Sequence, residues 1–544
     1  FEGNESWGYN PSFYFAVDKY YGPKEDLKRL VNEAHSRGMG VVMDMVLNHS
    51  FGQSPMVQLY GYHLEKDENN DYEMIMNMPN PYYNQKSPNR SYHWGADFNH
   101  ESRHTQYFID RVNEWWIDEY HIDGFRFDFT KGLTNKSGDG WQKDDSRIAI
   151  LKNMADHMWD TDSTAYVILE HLTDNSEEEI LADYGMLLWG NMTYNYGEAV
   201  MAYWQNGKSN FSWGYYRERG WSKPYLVTYM ESHDEERLMA KNIKDGACAN
   251  DPLGAEDDDV YDCPNTPDNY TTRTIKGALE RQKLVATFFL TLPGPKMIWQ
   301  FGELGFDHSI DAFGGRLANK PPVWDYLLDT NRAKLHDTYS ALNHLRKKYT
   351  AFSNSGNVSL DLAGKVKTIK ISGDINAVIV GNFDVFSQNA NLSFVHGGDW
   401  YEYFTGTILA TDGNETITLY PGQFLLYTDQ YVENPWPNLI TEIKEGGVSN
   451  IPNEFTLSAP YPNPFNPVVS FDVNLEKNRW VEALVFDIRG RRIKTLLDTD
   501  IPAGSYNLVW NSRNDAGKLM PTGIYFIRVQ SENHSFSKKI ILLK

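Results

Sequence analysis

The stretch that decides the fold is His121-Ile-Asp-Gly-Phe-Arg-Phe-Asp128, a short apolar run that ends in a carboxylate. It follows residues 108–119, whose apolar side chains recur at helical spacing. An amphipathic helix followed by a short, almost continuously apolar strand is typical of parallel βαβ units. Asp128 therefore stands at the carboxyl end of a predicted parallel strand.

The same alternation of helix and strand extends from residue 24 to about residue 305. It predicts further strands at 40–46, 166–169, 186–188, 226–229 and 296–299, and helices at 24–38, 149–159, 273–290 and 331–348. Polar residues end four of the six strands, which favours a (β/α)8 TIM barrel because its active site lies at that face. The first two strands of such an α/β barrel should precede Trp7. We therefore expect an N-terminally shortened chain.

The pattern along the chain predicts four regions. Residues 1–350 form the barrel, interrupted at about 50–92 by an insertion rich in Asn, Tyr and Pro. Residues 351–430 alternate apolar and polar residues between Gly and Asn turns, which predicts an antiparallel β-sandwich. A linker with Pro and Gly at 431–453 leads to a second all-β sandwich, immunoglobulin-like, at 454–544.

The composition excludes several classes of partner. The chain has 544 residues, with 51 Lys and Arg against 73 Asp and Glu, and a formal net charge of −22. Such a charge repels phosphate backbones and anionic lipids, so we expect neither nucleic acid nor a membrane surface as partner. No apolar run is long enough to span a membrane. The 34 Tyr and 16 Trp instead suit an uncharged ligand such as a sugar.

Cysteines and short motifs add little chemistry. Cys248 and Cys263 flank one acidic loop and permit either a loop-closing disulfide or two buried thiols. The sequence contains no phosphate loop, dinucleotide fingerprint or His-Glu-x-x-His motif, so we expect no organic cofactor. It opens on Phe1-Glu-Gly-Asn4 without the basic and apolar stretches of a signal peptide, so we expect that any targeting segment has been removed or was never included.

Three acidic residues stand at the ends of three predicted strands: Asp128, Glu170 and Asp234. Carboxylates that converge at the mouth of a barrel repel one another, which separates their pKa values into a proton donor and a permanent anion. Glycoside cleavage needs that arrangement. Taken singly, each acid could instead cap a helix or pair with an Arg. Together with His49 and His233 at other strand ends, they favour a catalytic site.

Four segments resemble the signature regions of the α-amylase clan of glycoside hydrolases. They are Asp44-Met-Val-Leu-Asn48-His49, Gly124-Phe-Arg126-Phe-Asp128, Glu170 at the end of its strand, and Ser232-His233-Asp234. The resemblance extends from Ser6 to about Tyr427. It implies that Asp128 is the nucleophile, Glu170 the general acid/base, and Asp234 the residue that stabilises the transition state.

Physical arguments support two of these roles. Arg126 lies two residues before Asp128, hence on the same face of the strand, and its charge should keep Asp128 ionised. Glu170 follows the apolar run Val167-Ile-Leu169, where desolvation should raise its pKa towards that of a useful acid.

The resemblance also implies substrate-binding residues. His49 and His233 should donate hydrogen bonds to sugar hydroxyls, with structural strand-end histidines as the alternative. Tyr9 should form an aromatic platform under the sugar, with core packing as the alternative. Asp44 should support the site structurally. Lys131 should lie on the leaving-group side, although Gly132 stands where the family usually has a His.

A calcium ion is the one cofactor that the sequence suggests. Asn48, and Asp97 in the segment Trp94-Gly-Ala-Asp-Phe-Asn99, offer the oxygen ligands that Ca²⁺ prefers. Asn and Asp are also common turn formers, so these residues could equally be structural.

The last region resembles the C-terminal sorting domain of type IX secretion substrates. The resemblance rests on Ala459-Pro-Tyr-Pro-Asn-Pro-Phe-Asn-Pro467, Phe486-Asp-Ile-Arg-Gly490, Gly523-Ile-Tyr-Phe526 and the terminal Lys538-Lys-Ile-Ile-Leu-Leu-Lys544. It implies a bacterial protein that is secreted or held at the cell surface, with the secretion machinery as partner. The alternative is an unrelated accessory domain that binds carbohydrate.

These observations predict a secreted retaining hydrolase of α-1,4-glucans such as starch. One alternative is a branching or transglycosylating enzyme, since the segment Lys320-Pro-Pro-Val-Trp-Asp-Tyr326 and the short insertion resemble α-glucan branching enzymes. An alternative of another class is an inactive starch-binding surface protein.

Overall fold

The computed structural model describes residues 7–249, 270–355, 357–436, 455–458, 460–475, 479–501, 504–531 and 534–543. The chain divides into two compact units, residues 1–441 and 442–544. The helices of these ranges all lie in the first unit: α1 (Lys24–Ser36), α2 (Pro55–Tyr60), α3 (Arg103–Tyr120), α4 (Asp145–Thr161), α5 (Asn175–Tyr184), α6 (Thr193–Met201), α7 (Leu238–Asp245), α8 (Ile275–Thr291) and α9 (Thr330–Lys348).

The strands that alternate with these helices come first in the chain. They are β1 (Val42–Val46), β2 (His49–Ser50), β3 (Tyr62–Lys66), β4 (Tyr72–Met76), β5 (Ala96–Asp97), β6 (Gly124–Asp128), β7 (Tyr166–Leu169), β8 (Leu187–Asn191), β9 (Leu226–Tyr229) and β10 (Lys296–Met297). The predicted insertion at 50–92 contains α2 and the antiparallel hairpin of β3 and β4.

Six of these strands form one parallel sheet in the order β1-β6-β7-β8-β9-β10. The spatial order follows the sequence order, as in a (β/α)8 barrel. Within the described residues, β1 and β10 each pair on one side only, so the sheet is part of a barrel. The predicted fold class, an incomplete TIM barrel followed by all-β domains, is confirmed.

Local sequence explains how the central strand is placed. Helix α3 begins after Ser102, whose side chain accepts a hydrogen bond from the His104 amide, and ends at His121 in a left-handed conformation (φ 53°). Gly124 then opens β6 at φ 144°, and a Cβ there would lie 2.2 Å from the carbonyl oxygen of Tyr166. Only glycine allows β6 to approach β7 so closely. This approach brings the two strand ends that carry the central acids side by side.

Some predicted strand bounds are wrong. The strand expected at 296–299 is only the two residues of β10, because the chain turns away and reaches Phe301 in a left-handed conformation (φ 64°). The strand expected at 186–188 extends instead over β8, Leu187–Asn191. Apolar runs predict that a strand exists more reliably than where it ends, because pairing with neighbours decides the ends.

Eight strands complete the first unit: β11 (Asn357–Asp361), β12 (Val366–Ser372), β13 (Ala377–Asn382), β14 (Gln388–Ser393), β15 (Gly398–Glu402), β16 (Ile408–Thr411), β17 (Asn414–Leu419) and β18 (Phe424–Thr428). They form a six-stranded antiparallel sheet, in the order β11-β12-β13-β18-β15-β16, and the separate pair β14-β17. Trp400 is fully buried in the core that these strands share.

The second unit is also all β. Its strands are β19 (Thr456–Leu457), β20 (Val469–Leu475), β21 (Arg479–Asp487), β22 (Arg492–Ile501), β23 (Gly504–Trp510), β24 (Gly523–Ser531) and β25 (His534–Leu542). They form two sheets, β19-β20-β23 and β22-β21-β24-β25, around a core that contains Trp510. The exact domain boundaries stay a prediction.

Two sequence predictions concern residues that the structure does not describe. Most of the predicted linker, from residue 437 onward, and Cys263 lie outside the described residues. Among the helices that are described, none is both long and apolar enough to cross a bilayer.

Candidate active site

The acids and bases predicted from the sequence meet at one edge of the parallel sheet. Asp128 ends β6 and Glu170 follows β7, its immediate neighbour. Asp234 follows β9, and Asp44 lies on β1 directly beside Arg126 of β6. Because the strands are parallel, their carboxyl ends share one face.

Arg126 is the centre of the site. Its Nη1 donates hydrogen bonds to Oδ1 of Asp128 at 2.9 Å and Oδ1 of Asp44 at 2.6 Å, and its Nη2 lies 2.8 Å from Oε2 of Glu170. The guanidinium also lies 4.1 Å from the ring centre of Trp189. One buried guanidinium therefore pairs with three carboxylates, so the cluster carries an excess of negative charge.

This excess charge and burial shift the central carboxyl groups. Burial, followed by the charge of Glu170, raises the pKa of Asp128, and the positive charge of Arg126 opposes the rise without cancelling it. Burial likewise raises the pKa of Glu170 against the effect of Arg126. Arg126 therefore acts to lower the pKa of Asp128, as the sequence led us to expect, but burial and the charge of Glu170 raise that pKa by more. The two carboxyls are close enough to share a proton, and such a pair takes up its protons in turn.

Glu170 is fixed by the backbone that follows β6. The amide of Phe129 donates to Oε2 of Glu170 at 2.9 Å, and the amide of Thr130 donates to its carbonyl oxygen at 2.9 Å. Phe129 adopts a left-handed conformation (φ 46°), which turns its amide towards the carboxylate. The residue after the predicted nucleophile thus orients the predicted acid.

Tyr9 lies in the site rather than in the apolar core. Its hydroxyl donates to Oδ2 of Asp44 at 2.8 Å, and its ring stacks on that of His233 with centroids 5.1 Å apart. Nε2 of His233 lies 3.2 Å from Oδ2 of Asp234. Tyr9, Asp44 and His233 border a cavity of about 730 Å³ that also touches Arg126 and Trp299.

His49 is held more tightly than the sequence suggests. Its Nε2 donates to the carbonyl oxygen of Tyr9 at 2.9 Å, and its Nδ1 accepts from the side-chain amide of Asn48 at 3.3 Å. Burial lowers the pKa of His49 to about 4, so the ring is neutral near pH 7. In this arrangement His49 positions Tyr9. Its direct hydrogen bond to a sugar hydroxyl stays a prediction.

Lys131 is buried on the Glu170 side of the site. Its Nζ lies 3.4 Å from the ring centre of Trp141, and burial lowers its pKa to about 8. Gly132, where the family usually has a His, has no room for a side chain. A Cβ there would lie 2.1 Å from Oδ1 of Asn48 and 2.7 Å from the Phe129 ring.

The donor set at Asn48 and Asp97 does not resemble a calcium cage. The two residues are neighbours, since the amide of Phe98 donates to the carbonyl oxygen of Asn48. However, both carboxylate oxygens of Asp97 already accept hydrogen bonds, from Asn84 and Ser87, and burial raises its pKa to about 7. Across the described ranges, no three His, Cys, Asp or Glu side chains form a metal cluster. Calcium binding stays a prediction, and no step below depends on it.

Several residues at the site were not predicted from the sequence. Trp189 lies under Arg126, and Trp299 lies 5.9 Å from the ring of His233. Both belong to the ends of predicted strands, so the rule that identified the acids could have found them. Trp141 and the buried cluster of Arg147, His171 and Glu177 have no such signal, because they are brought together only by the fold.

Comparison with known proteins identifies two families along the chain. Residues 2–251 match the family described as alpha amylase, catalytic domain, and residues 459–543 match the secretion system C-terminal sorting domain.

Several curated proteins are similar over part of the chain. A malto-oligosyltrehalose trehalohydrolase of Saccharolobus solfataricus is 32% identical over 166 residues, 29% of this chain and 24% of that protein. A 1,4-alpha-glucan branching enzyme of Leifsonia xyli is 25% identical over 254 residues, 42% of this chain and 32% of that protein. The chain thus spans about a quarter to a third of these relatives' length.

Solved structures show the same fold. An α-amylase of Anoxybacillus superimposes with a TM-score of 0.55 at 20% identity, covering 78% of this chain and 84% of that chain. An α-amylase of Geobacillus thermoleovorans in complex with acarbose gives 0.54 at 18% identity, with coverages of 77% and 84%.

Proposed function

We propose that this chain, whose residues 2–251 belong to the α-amylase catalytic-domain family, cleaves α-1,4-glucosidic bonds of starch-like glucans with retention of configuration. The observation that carries the proposal is the pair of carboxyls on neighbouring strands, Asp128 and Glu170, both within 3 Å of Arg126. Retaining glycosidases need two carboxyl groups close together, because one attacks the anomeric carbon while the other gives its proton to the departing glycosidic oxygen.

The groups divide the reaction between them. Asp128 attacks the anomeric carbon as Glu170 gives its proton to the departing glycosidic oxygen, which leaves the sugar bonded to Asp128. Glu170, now ionised, then takes a proton from water as that water attacks the same carbon, which releases Asp128. The pKa of Glu170 is raised by burial, as its role as acid requires.

The other side of the site binds the sugar that is attacked. His233 borders the cavity with Asp234 3.2 Å from its ring nitrogen, and the stacked rings of Tyr9 and His233 form one of the cavity walls. A carboxylate beside the reacting sugar also stabilises the positive charge that develops in the transition state. Asp44 and Arg126 hold Tyr9 and the acids in place through their shared hydrogen bonds.

The match of residues 459–543 to a secretion system sorting domain supports export. We propose that the protein leaves the cell by type IX secretion and acts in the medium or at the cell surface. An uncharged polymer that cannot enter the cell is a suitable substrate for an enzyme placed there.

The test is turnover of soluble starch by the full-length protein and by Asp128→Asn. Removing the nucleophile should lower kcat by about 10⁴-fold or more, measured as new reducing ends. Glu114→Gln, an acid on the outer helix α3, is the control and should retain full activity. Substantial activity in Asp128→Asn would contradict the mechanism, and no turnover by the wild type would favour an inactive binding protein.

Transfer is the second candidate, because relatives in the comparison include 1,4-alpha-glucan branching enzymes. Branching uses the same glycosyl-enzyme intermediate but passes it to a sugar hydroxyl instead of water. Treating amylose with the protein distinguishes hydrolysis from branching. Hydrolysis raises the number of reducing ends, whereas branching shifts the iodine stain with few new reducing ends.

A further inference from the structure

Trp141 is an exposed aromatic residue in contact with Lys131, which lies two residues after the Phe129 amide that orients Glu170. It is 54% exposed, although its neighbour Lys131 is buried. Nζ of Lys131 lies over one face of the indole, 3.4 Å from the ring centre, so the opposite face and the ring edge account for the exposure. A flat aromatic face open to solvent, backed by a cation, is a suitable surface for stacking a sugar ring.

The position of Trp141 relative to Glu170 decides which sugar it could bind. Lys131 follows Phe129 and Thr130, whose amides donate to Glu170, and the charge of Glu170 acts on Lys131. Glu170 gives its proton to the oxygen of the departing sugar, so that sugar must lie on the Glu170 side. Tyr9, Asp44 and His233 line the cavity proposed to hold the sugar that is attacked, and neither Lys131 nor Trp141 lines it.

The loop that carries Trp141 is fixed by a buried arginine. Nη1 of Arg147 donates to the carbonyl oxygens of Lys131 at 2.6 Å and Gly140 at 3.1 Å, and Nη2 donates to that of Gln142 at 3.0 Å. The carbonyls on both sides of Trp141 are thus held by one guanidinium, itself fully buried and paired with Glu177. A Cβ at Gly140 would lie 2.4 Å from the carbonyl oxygen of Lys131, so the loop passes too close for any other residue.

We propose that Trp141, backed by Lys131, binds the glucose unit on the leaving-group side of the scissile bond, and binds an acceptor sugar at the same place. This inference rests on the proposed function and names a specificity-determining residue for it. The indole supplies the stacking surface on its open face, and the Lys131 ammonium holds the ring from the opposite face. Arg147 keeps the ring in place before the substrate arrives, which reduces the cost of ordering on binding.

The experiment compares two substrates that differ only on the leaving-group side. A malto-oligosaccharide places sugars on both sides of the cleaved bond, whereas α-maltosyl fluoride has only a fluoride ion to release. Trp141→Leu should lower kcat/KM for the malto-oligosaccharide by about tenfold or more and change that for the fluoride by less than about twofold. Trp141→Tyr keeps an aromatic face and should recover most of the loss.

Tyr166→Leu is the matched control. Tyr166 is also an exposed aromatic residue, but it lies at the opposite end of β7 from Glu170, about 13 Å away along the strand. It should leave kcat/KM for both substrates unchanged. With added maltose as acceptor, the wild type should form transfer products from the fluoride and Trp141→Leu should form fewer.

The outcomes separate this inference from the proposed function. If the wild type cleaves both substrates but Trp141→Leu loses both equally, or loses neither, the assignment of Trp141 is wrong while the mechanism stands. Equal activity of the Leu and Tyr variants would also overturn it, because the proposal requires a flat ring. If the wild type cleaves neither substrate, the proposed function itself fails.

Discussion

The two sides of the active site are built differently. On the side of β6 and β7, the side chains of Asp128 and Glu170 are each 13% exposed, whereas Asp44 and Asp234 on the other side are 48% and 43% exposed. Burial raises the pKa of a carboxyl because it disfavours the charged form. Burial therefore favours retention of a proton at Asp128 and Glu170, whereas the side chains of Asp44 and Asp234 are open to solvent.

The support behind the two sides differs in the same way. Behind Glu170 lies a fully buried cluster in which Arg147 and His171 both pair with Glu177, at 2.7 Å and 3.0 Å. Nδ1 of His171 lies 2.9 Å from the hydroxyl of Thr130, which connects this cluster to the loop after β6. Asp234, by contrast, lies 3.2 Å from the imidazole of His233 and 3.8 Å from the half-exposed Arg316. A reacting proton needs fixed geometry, whereas sugar binding tolerates adjustment.

The largest expected effect tests the buried cluster. Glu177→Gln removes the charge that Arg147 faces and leaves a buried cation unpaired, so the free energy of unfolding of the first unit should fall by about 3 to 5 kcal/mol. Urea unfolding followed by circular dichroism measures it. The control Glu114→Gln breaks the exposed pair with Arg111 and should cost less than about 1 kcal/mol. Equal effects would show that the two pairs do not differ.

The pH dependence of stability sharpens the same contrast. Burial acts to raise the pKa of Glu177, but hydrogen bonds from His171 and Arg147 outweigh it and lower the pKa from 4.5 to about 2. A carboxyl whose pKa is lower in the folded state stabilises it above the unfolded pKa, and that stability is lost as pH falls from 4.5 to about 2.

The stability difference between wild type and Glu177→Gln should therefore shrink over that interval of pH. Urea titrations at a series of acidic pH values measure the change. A difference that stays constant down to the lowest pH at which both proteins fold would contradict the role of Glu177.

A smaller effect of opposite sign is expected at the nucleophile. The pKa of Asp128 is raised on folding, so its stabilising protonated form is present below its unfolded pKa and is lost as pH rises through the folded pKa. The buried carboxyl therefore opposes folding when it is ionised. Asp128→Asn should raise Tm while it abolishes activity, with Asp26→Asn, at an exposed pair with Arg29, as a control that leaves Tm nearly unchanged. A lower Tm in Asp128→Asn would show that its bond to Arg126 matters more than its burial.

Much of the fold followed from local pattern. Apolar runs of four to seven residues after amphipathic helices located the parallel strands, and the acids at their ends located the site. The bounds of β10 and β8 could not be predicted from the sequence, because strand ends depend on pairing with neighbouring strands. The extent to which burial raises the pKa of Asp128 could not be predicted either. The sequence shows the neighbouring charge of Arg126, but it does not show how far folding removes Asp128 from water.

The sequence by itself determined the parallel sheet, the order of its strands and the acids that end them, because strand periodicity and short motifs are local properties. The tertiary structure alone decided that Arg147 holds the loop of Trp141 and that Gly132 has no room for a side chain. It also decided that the His49 ring donates its hydrogen bond to the carbonyl oxygen of Tyr9. Those facts depend on atoms that are distant along the chain and meet only when it folds. Burial, which sets the pKa values of the catalytic pair, is a property of that folded environment and not of any single segment.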